Sequence, residues 1–143
     1  SDVYKRQAEN RIIKLGKKTD FECHQMEHQL GAYTNCNHGE GLAILHPVYY
    51  RHIYKYGLPK FKKFATEVWG ITPDGKTDEE LALAGIDALE GFIREIGMPT
   101  KFSEIGIDES TDFKTIAASC AIVPTAYKKM THEEIYEIFK ECL

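Results

Sequence analysis

Three histidines, His24, His28 and His38, fall within one fifteen-residue window of the stretch TDFECHQMEHQLGAYTNCNHGEGLAILHP, which runs from Thr19 to Pro47. His24 and His28 are four apart, a step that puts two helical side chains on one face, one turn from each other. Imidazole nitrogens bind a divalent ion at about 2 Å, so a metal site needs side chains that converge in this way. The pair alone is a weak signal, because the same spacing occurs on many helices that hold no metal. His38 strengthens it: a helix beginning there can fold back beside either of the first two. Three neutral imidazoles near one point would otherwise be awkward to bury. Spacing alone leaves open which of the three are ligands. Cys23 and Cys36 flank the window without forming a CxxC pair. Asp20 reads as negative charge at the positive end of a helix dipole.

The elements that must position these side chains follow from caps and periodicity. Thr19 and Glu22 have the spacing of a capping box, which predicts a helix from Thr19 to about Ala32–Asn35 carrying Phe21, Met26, Leu30 and Tyr33. A second helix, GLAILHPVYYRHIYKY, opens at His38-Gly39 and is expected to end at Gly57 and Pro59, with Pro47 bending it or removing one backbone bond. Phe61, Phe64, Ala65, Val68 and Trp69 step at helical intervals, and TPDG from Thr72 is a turn. Thr77 and Glu80 cap a long helix with Leu81, Ile86, Leu89, Phe92, Ile93 and Ile96, closed by Gly97 and Pro99. A loop from Phe102 to Gly106 and a short helix through Phe113, Ile116, Ala117 and Cys120 come next. Thr131 and Glu134 cap the last helix, with Ile135, Ile138 and Phe139 inward. No strand pattern stands out, and the expected fold is all-α, a helical bundle.

Composition narrows the function. With 143 residues, 43% hydrophobic and 28% charged, the chain is long and apolar enough for one real core. A net charge of −4 and a pI near 5.9 argue against a general polyanion binder. The basic and aromatic run from Tyr49 to Lys63 fits a packed helix with one solvated face better than a nucleic-acid surface. No apolar run approaches the ~20 residues of a membrane span, and no secretion signal appears. The expectation is a cytoplasmic protein with its four cysteines reduced and no nucleic-acid or membrane partner. His46 and His52 are six apart, on different faces, and read as non-ligands, while His132 sits in a capping turn and reads as solvated. SDVYKRQ resembles translated adapter sequence, and AENRIIKLGKK reads as the end of a helix stopped at Gly16. Residues 1–18 are therefore expected to be a non-native start plus the remnant of a preceding helix, and residues 19–143 a helical metal and substrate domain.

ECHQMEHQLGAYTNCNHGEGLAILHP resembles the signature of the iron-dependent alcohol dehydrogenases, in their butanol-dehydrogenase-like branch. LEGFIREIGMPTKFSEIGI resembles a later segment of the same family. The resemblance implies that His24 and His38 are metal ligands, and that His28 is an active-site, catalytic histidine that does not bind the metal. It further implies a two-domain enzyme, a homodimer, acting on a small alcohol or aldehyde. An N-terminal α/β domain would hold NADP or NAD through a glycine-rich turn, and the helical domain would hold Fe(2+), with Zn able to compete. The family's remaining ligand pair, an Asp and a His four apart, and its glycine-rich turn have no counterpart here. The expectation is thus a fragment, inactive alone. The residues by themselves also permit a stand-alone helical metal-binding or partner-binding domain without catalysis.

Overall fold

The structure, a computed structural model, describes residues 22–34, 36–122 and 128–143, with side chains from residue 25 onward. The helix start expected at Thr19, and residues 1–18 as a whole, lie outside the described residues.

The helix His38–Ile53, α2, is apolar nearly all round, and a helix of that kind has to be buried. Leu42, Ala43, Ile44, Leu45, Tyr49, Tyr50 and Ile53 are each 2% exposed or less. The helix Glu22–Thr34, α1, packs along one side of it, turning Met26 and Leu30 inward. Pro47 leaves α2 unbroken. An interior proline costs about 3 kcal/mol, whereas each fully buried large side chain beside it returns ~1.5–3 kcal/mol.

After Ile53 the chain tightens into a 3-10 turn, Tyr54–Gly57, and starts again as the short helix α3, Leu58–Lys63. Pro59, read from sequence as part of a stop, sits in the first turn of α3, where its missing N–H would have had no helical partner. α3 then widens into a π turn, Phe64–Val68. That extra residue shifts the register and leaves Val68 43% exposed. Ala65 stays inward against Gly85, where a Cβ would come within 2.8 Å of the Ala65 Cβ. Gly85 belongs to α4, Asp78–Glu95, whose Thr77–Glu80 capping box is present as expected. The basic run is a solvated face: Arg51 bridges Asp87 at 2.8 Å and Glu90 at 3.2 Å, and Lys62 pairs with Asp78 at 3.0 Å.

The segment expected to be a loop after Thr100 is a 3-10 turn, Phe102–Ile105, released by Gly106 at φ 79°, a value glycine adopts without strain. Helix α5, Phe113–Ser119, is capped by Asp112, and α6, His132–Glu141, by the Thr131–Glu134 box. Phe102, Phe113 and Phe139 pack as a trio with ring centroids 5.5–6.4 Å apart. The Phe102 N–H donates to the Cys142 carbonyl at 2.7 Å and ties the turn to the chain end. Around α2 stand α1, α4 and α6, with α5 wedged between α1 and α6. The architecture is all-α, with no strand among the described residues. No described helix is long and apolar enough to cross a membrane.

Candidate functional site

Helix α1 buries Met26 and Leu30, and this turns the intervening Glu27 toward the start of α2. Glu27 is 2% exposed, an expensive place for a carboxylate. Three features accommodate it. His38 Nδ1 hydrogen-bonds Glu27 Oε2 in a short contact. The carboxylate lies beside the first turn of α2, where amide dipoles favour negative charge. Gly41 provides the space: a Cβ there would come within 2.8 Å of Glu27 Cγ and 3.1 Å of Oε1. Burial is the dominant influence and holds the Glu27 carboxyl above its ordinary range, opposed by the charge and hydrogen bond of His38 and, less, by His28.

His38 is placed by the cap of α2. Asn37 has extended backbone angles, and its side chain accepts the Glu40 N–H at 3.2 Å, so His38 is the first helical residue. Its side chain is 48% exposed, with one edge on Glu27 and another toward an open concavity of about 660 Å³. Glu27, His28, Gly31, Ala32, Cys36 and His38 line that cleft. His28 is exposed there, on the α1 side. Cys36 is half-buried, and burial pushes its thiol above the usual range. α1 is held in place from its other side by Gln29, whose Oε1 accepts the Ser119 hydroxyl of α5 at 3.0 Å.

The structure thus brings His28 and His38 to one cleft. His24 lies on α1 one turn before His28, with its side chain outside the described residues, as is Asp20. Among the described residues no group of three His, Cys, Asp or Glu side chains is assembled to hold an ion unaided. His46 is buried in α2 against the Tyr50 ring at 5.3 Å. His52 contacts Glu141 at 2.9 Å, and His132, read from sequence as solvated, reaches the Cys120 carbonyl at 2.9 Å through Nε2. Sequence reasoning passed over Glu27. The available signal was a carboxylate next to a core methionine, with glycine four residues later on its own helix and another three residues after His38.

Residues 11–143 match the sequence profile of the Fe-containing alcohol dehydrogenase family, C-terminal. The chain belongs to that family. It is 34% identical over 139 residues to the probable NADH-dependent butanol dehydrogenase 1 of Bacillus subtilis, covering 95% of this chain and 35% of that protein. Against the NADH-dependent butanol dehydrogenase A of Clostridium acetobutylicum it is 34% identical over 140 residues, 94% of this chain and 35% of the relative. The crystal structure of the NADH-dependent butanol dehydrogenase A of Thermotoga maritima superposes with a TM-score of 0.74 at 29% identity, over 86% of this chain and 33% of that one. The chain therefore spans about a third of the length of the relatives it matches. What it shares with these iron-type alcohol dehydrogenases is the helical C-terminal part, the part that carries the histidine cleft.

Proposed function

We propose that this chain is the metal-holding helical part of an NAD(P)-linked alcohol dehydrogenase or aldehyde reductase. The observation that carries the reading is the cleft itself: His28 and His38, from two helices, open on one concavity, with a buried carboxylate behind His38. In this reading His24 and His38 are two of the metal's ligands, and His28 is the catalytic histidine that stays off the metal. The donor chemistry fits. Neutral imidazole suits Fe(2+) and also Zn, and a ligating imidazole usually donates its other N–H to a carboxylate or carbonyl.

When bound, the ion supplies Lewis-acid polarisation of the alcohol or aldehyde oxygen. The chain's own residues do the rest. His28, exposed at the cleft, takes the hydroxyl proton in oxidation and returns it in reduction. A bound nicotinamide would supply the hydride acceptor for oxidation and the hydride donor for reduction. Gly31 and Ala32 leave room beside the histidines for a short aliphatic chain. The nicotinamide is held by a companion α/β domain, so the 143 residues alone turn over no alcohol. The relatives named as NADH-dependent butanol dehydrogenases support NAD and a small primary alcohol for the assembled enzyme, which we take to be a cytoplasmic homodimer.

Zn²⁺ titrated into the chain tests the ligand assignment, with His24→Ala and His38→Ala each weakening binding at least about tenfold and His28→Ala leaving it unchanged. Equal affinity in His38→Ala would sink it. Paired with the nucleotide-binding domain of a relative, His28→Ala should lower kcat for butanol oxidation by about 10²–10⁴-fold while metal content holds.

A further inference from the structure

We propose that Glu27 is a positioning residue for the metal site, which fixes the tautomer and orientation of His38 and adds negative charge behind it. The proposal rests on the reading of His38 as a ligand, but its grounds are separate. A carboxylate that is 2% exposed is normally selected against unless it has a task. Among the described residues, the hydrogen-bond partner of Glu27 is His38. The chain also gives up side-chain volume at Gly41 to seat it, since any Cβ there would strike Glu27 Cγ at 2.8 Å, in the middle of its side chain.

The chemistry follows from which ring nitrogen is engaged. A carboxylate accepts, so in the neutral ring Nδ1 carries the proton and Nε2 carries the lone pair. Nε2 is then the atom through which His38 ligates. Because Glu27 comes from α1 and His38 from α2, the bond also sets the angle of the ring relative to the helix that carries His24 and His28. A carboxylate–imidazole–metal arrangement raises the basicity of the ligand and holds its ring.

Two measurements decide the matter. Long-range ¹H–¹⁵N correlation on the metal-free chain should show His38 as the Nδ1–H tautomer, and in Glu27→Met as a mixture dominated by Nε2–H. Zn²⁺ affinity should fall about 10–100-fold in Glu27→Met, fall by less in Glu27→Gln, whose amide oxygen still accepts, and also fall in Gly41→Ala, which alters neither partner. A wild-type Nε2–H tautomer, or unchanged Zn²⁺ affinity in Glu27→Met beside a large loss in His38→Ala, would overturn the proposal and leave His38 a ligand. Unchanged affinity in His38→Ala would instead remove the reading on which it stands. Should Glu27→Met fail to fold, the wild-type tautomer and Gly41→Ala still decide it.

Discussion

The two ends of the bundle are built on opposite rules. At the α5–α6 end, Phe102, Phe113, Ile135, Ile138 and Phe139 are each 4% exposed or less, and both helices start with capped amides. Local preference, apolar pattern and packing agree there, as they do where stability is the only requirement. At the α1–α2 end a carboxylate is buried, glycines interrupt two helices, and a half-exposed histidine stands at a helix start beside an open cleft. Burying the carboxylate and placing glycines within helices both give away stability. The difference teaches that packing alone accounts for the aromatic end and does not account for the cleft end.

Substitutions at both ends test that contrast. Phe139→Ala at the aromatic end should cost about 3–5 kcal/mol in urea unfolding, the usual penalty for emptying a buried aromatic site. Thr131→Ala should cost about 1 kcal/mol by removing the cap of α6. Glu27→Met at the cleft, by contrast, should stay within about 1 kcal/mol of the parent chain, because the partner left behind, His38, is half exposed and can bond to water instead. A loss as large as that of Phe139→Ala would erase the contrast.

The smallest effect concerns pH. The N–H groups of Thr100 at 2.6 Å and Lys101 at 2.8 Å hold the Glu104 carboxyl below the usual range. A lowered folded-state pKa adds stability above the unfolded pKa, and that stability is lost as pH falls through the folded value. Glu104→Gln should therefore be less stable than the parent at neutral pH. The gap should close in acid, by an amount kept small by solvent around an exposed group.

Much of this was legible in the chain. The boxes at Thr77–Glu80 and Thr131–Glu134 mark α4 and α6 because capping is local chemistry. The histidine window marks the cleft for the same reason: its spacing is short. Pro59 was read as part of a stop, and the π turn after it was not foreseen, because both depend on what α3 packs against. Proline can open a helix as well as close one, and a π turn forms where Ala65 has to meet Gly85. Glu27 was missed because burial of a carboxylate is decided by a neighbour eleven residues away, His38, and by a glycine on the facing helix.

The near-complete burial of α2 has a consequence for how the cleft opens. Amides in the buried middle of such a helix exchange their hydrogens mainly through the largest openings of the domain. α1 covers one flank, and an opening that moved it off α2 would separate Glu27 and His28 from His38. An ion bound between the two helices would slow deuterium uptake in α1 and act as a clasp joining it to α2.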